Sequence, residues 1–177
     1  MSAWPAASFR PGRVAPRRLQ RRLGLMRHAA AWLAAAGVAD SSYLLLFQTG
    51  AIRHMWCPFF GAGCERISGS RLANPKGVPD AIFGVIGYAA LGALARRGPH
   101  DRYRGRPALP LLWSATAAGA VGVSVILTWM QWRHFKTFCF WCLTSAALTT
   151  AIFPLTLPEA RLAGEQAKAR RRASAAR

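Results

Sequence analysis

The run LPLLWSATAAGAVGVSVILTWM, from Leu109 to Met130, carries no charged side chain. Its length is close to the roughly 20 residues that a helix needs to cross the hydrocarbon of a bilayer. Working outward from it, three further apolar windows of similar length fall at residues 28–52, 78–95 and 137–157. The charge between and beyond them is segregated. Of 24 basic residues, seven lie within 10–27, five within 96–106 and six within 161–177. A net charge of +18 raises nucleic acid as a partner, but a soluble nucleic-acid module has no use for basic clusters alternating with long apolar runs. Positive-inside flanking of membrane helices accounts for the pattern. The expectation is an all-α integral membrane protein of four spans with no nucleic-acid partner.

If the basic clusters are cytoplasmic, both termini and the 96–106 loop lie inside, and segments 53–77 and 131–136 face outward. All four cysteines then sit outside or at the outer boundary. Trp56, Trp129, Trp132 and Trp141 fall near that outer interface, where an amphipathic ring is at home, and Trp113 falls nearer the inner one. Small residues within the spans, Gly84, Gly87 and Gly92 in the second and Ala115, Gly119 and Gly122 in the third, allow helices to approach closely. Pro79 falls in the first turn of the second span, where its missing N–H costs little, and Pro154 is expected to bend or end the fourth.

Three parts follow: a basic cytoplasmic extension at 1–27, the membrane domain at 28–157, and a basic cytoplasmic tail at 158–177. The two extensions are Arg/Ala-rich without apolar periodicity and read as solvated. A long basic leader, and an apolar core with no clear small-residue cleavage site, favour a retained anchor over a signal peptide. No internal repeat or second folded domain is visible, so any soluble redox partner is expected to be a separate chain.

The chemistry starts at Phe138-Cys139-Phe140-Trp141-Cys142-Leu143, a Cys-x-x-Cys at the head of the last apolar run. Two cysteines three apart share one side of a helical turn, and the N–H groups and positive dipole end of a helix start favour a thiolate. Cys57 and Cys64 in the outer loop complete an even set on the oxidising side. Structural bridging is one use of such a set, but a Cys-x-x-Cys closes so small a loop that it constrains little of the unfolded chain. Zinc is another use, although six residues between the loop cysteines exceed the usual two to four. Thiol–disulfide exchange suits the arrangement better, each step passing two electrons through a mixed disulfide. No Cys-x-x-Cys-His and no Gly-x-Gly-x-x-Gly after a strand occurs, so neither haem, flavin nor metal is expected. A lipid-soluble quinone can enter a bundle sideways from the bilayer and act as electron sink.

The ordered set of Cys57-x6-Cys64, Glu65-Arg66-Ile67-Ser68-Gly69-Ser70, Ala81-Ile82-Phe83-Gly84-Val85-Ile86-Gly87-Tyr88 and Cys139-Phe140-Trp141-Cys142-Leu143-Thr144-Ser145 resembles the vitamin K epoxide reductase family, over residues 29–157. The form it resembles is the bacterial type without a fused thioredoxin domain. The resemblance implies a four-helix bundle around a quinone. In it Cys142 reacts with the quinone, Cys139 exchanges with the loop, Cys64 relays to Cys139, and Cys57 faces a thioredoxin-like dithiol protein acting in trans. It further implies that Ser70 lies near the active site and that Phe83, Tyr88 and Leu127 line the quinone pocket. Asp80 stands where the animal enzymes have an Asn that bonds the quinone, and Ala146 where they have a Tyr. Both departures weigh against epoxide reduction and leave thiol-to-quinone transfer intact.

Other polar residues are read from position. Asp80, just inside the second span, is a functional candidate that can donate to a quinone oxygen, or an acid that complements a helix dipole. Asp40, in the middle of the first span, is read as a structural group held by interhelical hydrogen bonds. His54, His134 and Lys136 lie in the outer segments, where a base or cation can assist thiolate formation. Residues 65–73 form a short half-helix capping the site, with Ile67 and Leu72 inward.

The expected function is a membrane thiol:quinone oxidoreductase that reoxidises a secreted thioredoxin-like protein and reduces a quinone of the menaquinone, ubiquinone or phylloquinone type, a step in disulfide-bond formation. Arg/Ala richness without an ER retrieval signal or an Asn-x-Ser/Thr sequon points to a bacterial plasma membrane. The neighbouring enzyme reading is a vitamin K quinone or epoxide reductase. The reading from another class is a zinc-binding or structural membrane protein without turnover.

Overall fold

The computed structural model describes residues 16–99 and 101–175. The first part of the N-terminal extension, residues 1–15, and the last two residues of the tail lie outside that range. Among the described residues the chain is helical with no strand: α1 Arg17–Gln48, α2 Gly63–Ser68, α3 Ala81–Arg96, α4 Arg102–Gly105, α5 Ala108–Met130 and α6 Phe140–Ala175. A 3₁₀ turn at Pro75–Gly77 precedes α3, and a π-helical turn at Gln131–Phe135 follows α5. Among the described residues three helices are long and apolar enough to cross a membrane, namely α1, α5 with its π turn, and α6, while α3 is apolar but shorter at 16 residues.

α1 presents one buried stripe, Leu23, Arg27, Ala30, Ala34, Gly37, Ser41 and Leu44, at the three- and four-residue spacing of one helix face. It packs along α3 and α6, and α5 packs along α6, while α3 and α5 touch little and leave a cleft between them. Small residues set the α1–α3 approach. A Cβ on Gly37 would stand 2.3 Å from the Tyr88 ring and one on Gly84 2.6 Å from Ser41 Oγ, so neither position admits a side chain without movement. Gly92 meets Ala34 as expected of a close contact, whereas Gly87, Gly119 and Gly122 have nothing within 4 Å. α5 instead buries Trp113 and Ala117, and exposes Leu112, Val123, Val125, Ile126 and Trp129. That exposed apolar face suits lipid rather than water, and the molecule is a membrane protein.

Two expectations for the last helix give way. α6 runs unbroken through Pro154 and Pro158 to Ala175. Pro154 is exposed, and Ile152, Thr156 and Glu159 keep the buried face continuous past it, so tertiary packing outweighs the lost N–H. The tail is likewise helical: Leu162 and Ala163 pack with Leu23 and Tyr103 in a small apolar cluster.

That cluster adjoins a polar clamp. Arg102, fully buried, bonds both carboxylate oxygens of Glu159 at 2.6 and 2.8 Å, donates to the Leu94 and Arg97 carbonyls, and lies 5.2 Å over the Trp113 ring. Arg27 donates to the carbonyls of Ala95, Arg97, Gly98 and Pro99, so it caps the end of α3. Trp113 is therefore a core residue under a guanidinium and not an interfacial anchor.

Candidate functional site

The opposite end of the molecule, where α1 finishes and α6 begins, gathers all four cysteines. Cys57 and Cys64 form a disulfide that closes the loop between α1 and α2, and Cys139 and Cys142 are free thiols. The loop is pinned by aromatics: Trp141 Nε1 donates to the Trp56 carbonyl at 2.7 Å, the Trp56 N–H donates to Tyr43 Oη at 3.1 Å, and the Tyr43 and Trp141 rings lie 4.6 Å apart. Glu65 ties the same segment by accepting the Met55 N–H at 2.8 Å.

α2 lies close against the chain leading into α6 because it begins with glycine. A Cβ on Gly63 would stand 2.8 Å from both the Phe138 carbonyl and Thr137 Oγ1, so the backbones approach as only glycine permits. Cys64 is fully buried in one cluster with Cys139, and the Phe140 N–H points at Cys64 Sγ at 3.4 Å. Cys139 precedes the first turn of α6, its carbonyl accepting the Leu143 N–H. Its own N–H donates to Gln131 Oε1 at 2.9 Å, its sulfur receives the Cys142 N–H at 3.4 Å, and Ser68 Oγ stands 3.9 Å away. Backbone N–H groups directed at sulfur are the feature by which a helix start favours thiolate chemistry.

Cys142, one turn later, faces a cavity of about 660 Å³ bounded by α1, the α2 region, α3, α5 and α6. Ser70, Asp80, Phe83, Tyr88 and Leu127 all line that cavity with Cys142. Asp80, at the N-terminus of α3, accepts Gln48 Nε2 at 2.7 Å, and Gln48 Oε1 accepts the Ala81 N–H at 3.2 Å. Ser70 Oγ donates to the Ile67 carbonyl. Phe83 and Leu127 are exposed at the open side of the cavity, whereas Tyr88 is buried with its hydroxyl on the Ser145 carbonyl at 2.6 Å. Ile67 is buried as expected, but Leu72 is exposed. Apolar walls with a few convergent polar groups suit a flat, lipid-soluble ring bearing two oxygens.

His54 faces Glu65 at 3.5 Å, Lys136 Nζ lies 5.3 Å over the Trp132 ring, and His134 is exposed in the π turn. Among the described residues no three His, Cys, Asp or Glu side chains group to hold a metal ion. Sequence reasoning passed over Gln131, Ser68, Gln48 and Ser145. The two glutamines were the more findable, as single amides at the ends of apolar runs.

A disulfide packed against a reduced Cys-x-x-Cys, with one thiol opening on an apolar cavity between membrane helices, defines a membrane protein of thiol–disulfide chemistry. The family model described as the vitamin K epoxide reductase family matches residues 28–157, and the chain belongs to that family. Its members are membrane oxidoreductases that act with quinones. Comparison with curated proteins gives no match.

Proposed function

We propose that this protein is a thiol:quinone oxidoreductase of the bacterial plasma membrane, which oxidises a secreted thioredoxin-like dithiol protein and reduces a membrane quinone. In this reading the membrane unit, residues 28–157, crosses four times, with α3 carried through beside its longer neighbour α1. The basic segments 1–27, 96–106 and 158–177 are cytoplasmic, and the cysteines lie on the other face. Segregated charge supports that orientation. α2 and the turns after it form the outer cap.

Electrons enter where a partner thiolate attacks Cys57, opening the loop disulfide and releasing Cys64. The partner's second thiolate then resolves the mixed disulfide, leaving the partner oxidised and Cys57 and Cys64 reduced. Cys64 next attacks Cys139 of an oxidised Cys-x-x-Cys, and Cys57 closes the loop disulfide again. Cys139 and Cys142, now dithiol, pass two electrons and two protons to the quinone in the cavity. Asp80 faces one quinone oxygen and the Gln48 amide holds its carboxyl in place. Ser70, Phe83, Tyr88 and Leu127 bound the ring. A partner as oxidising as about −120 mV is still reoxidised by an acceptor of higher potential, with roughly 1.4 kcal/mol gained per 30 mV.

The observation that carries the reading is the division between the two thiols: Cys139 is sealed beside Cys64, and Cys142 lines the cavity. The test is quinone absorbance in detergent with a reduced thioredoxin-like protein as donor. Bleaching is expected with the wild type and none with Cys142→Ala; unchanged bleaching by that variant would sink the mechanism.

A further inference from the structure

The relay leaves one buried acid without a task. Asp40, in the middle of α1, is 6% exposed, and among the described residues neither carboxylate oxygen accepts a hydrogen bond of ordinary geometry. The interhelical bonding expected of it is reduced to a loose approach to one hydroxyl, and a carboxyl so poorly satisfied at membrane depth is costly enough to need a reason. The side chain facing it is Ser145, one turn after Cys142 on α6. Ser145 Oγ lies 3.0 Å from Tyr88 Oη, and Ser145, Tyr88 and Cys142 all line the cavity. Gly37, one turn before Asp40, presses on the Tyr88 ring, so the tyrosine is fixed against α1. The titratable groups that bear on this spot are Tyr88 from α3, Cys142 from α6 and Asp80 across the cavity. α5 carries none, so no cation on these elements is placed to neutralise Asp40.

We propose that Asp40 is the proton-holding group of the quinone half-reaction: it takes up the proton that the Cys142 thiol sheds and returns it, through the Ser145 and Tyr88 hydroxyls, to a quinone oxygen in the cavity. The proposal rests on the functional reading given above. In one turnover the S–H bonds of Cys139 and Cys142 break and an S–S bond forms between them. Two electrons and two protons pass to the quinone, whose two oxygens become hydroxyls. Protons lost equal protons gained, so Asp40 finishes each cycle in the protonation state in which it began. Because it acts through Ser145 and Tyr88 it is a positioning residue and does not touch the ring.

The test uses the full chain in detergent, with a small dithiol as reductant and a short-chain quinone as acceptor. Asp40→Asn keeps size and polarity but cannot exchange a proton. It is expected to lower kcat by about a hundredfold, the scale of a lost acid–base group, with the quinone KM unchanged and one ionisation missing from the pH profile of kcat. Asp40→Glu is expected to recover most of the rate and that ionisation. Thiol exchange between the two cysteine pairs, followed without quinone, is expected to be unaltered in both variants. Wild-type kcat and pH profile in Asp40→Asn would overturn the proposal. So would equal loss of activity and of thiol exchange in both variants, which would make Asp40 part of the fold alone. A wild type that reduces no quinone would instead overturn the functional reading itself.

Discussion

At one end of the molecule Arg102 lies fully buried with both oxygens of Glu159 on its guanidinium, and Arg27 beside it ties four carbonyls around the end of α3. At the other end Cys139 is equally buried, yet its sulfur is met by a backbone N–H at 3.4 Å and a serine hydroxyl at 3.9 Å. Charge-assisted bonds are short and roughly twice as strong as neutral ones, and they hold a single arrangement. Contacts to sulfur are weak and replaceable, which suits atoms that change bonding partners in every cycle of the proposed relay. The molecule is fastened at the basic end and left exchangeable at the cysteine end.

Breaking the fastened end should have the largest effect on stability. Glu159→Ala strands the Arg102 guanidinium, and removing one member of a buried pair costs about 3–5 kcal/mol. Thermal unfolding in detergent should register that loss, with the Cys57–Cys64 disulfide still formed. Gly63→Ala tests the exchangeable end, because the added methyl must displace the Phe138 carbonyl or Thr137 and so widens the gap between Cys64 and Cys139. Electron transfer from loop to Cys-x-x-Cys should slow about tenfold, equivalent to ~1.4 kcal/mol of barrier. Quinone reduction by a small dithiol that reaches the Cys-x-x-Cys through the cavity, at Cys142, should keep its rate. Trp141→Phe keeps the ring on Tyr43 but removes the bond to the Trp56 carbonyl. One hydrogen bond contributes about 0.5–1.5 kcal/mol. The loop should therefore open slightly, read as faster alkylation of Cys57 after reduction, with unfolding barely moved.

The sequence disclosed the cysteine end far better than the basic end. Apolar length marked the membrane helices because it is local in the chain, and the family resemblance carried by the ordered cysteine motifs, not any local feature, led to the residues that line the cavity beside Cys142. The clamp was invisible for the opposite reason. Arg27, Arg102 and Glu159 come from three distant segments, and each alone reads as a solvated charge in a basic cluster. The helical tail was hidden too, since Leu162 and Ala163 acquire a partner only when Leu23 and Tyr103 are folded against them. Pro154 misled because local propensity says nothing of packing on both sides of it. Gln131, which accepts the Cys139 N–H, carried only a weak signal as one amide at the end of an apolar run.

The central claim is that electrons from a protein dithiol pass through the loop pair before reaching Cys139 and Cys142. The direct measurement is quinone reduction by Cys64→Ala with two donors, a reduced thioredoxin-like protein and a small dithiol. The account predicts that the protein donor no longer supports reduction while the small dithiol still does. Loss of both activities, or of neither, would contradict it.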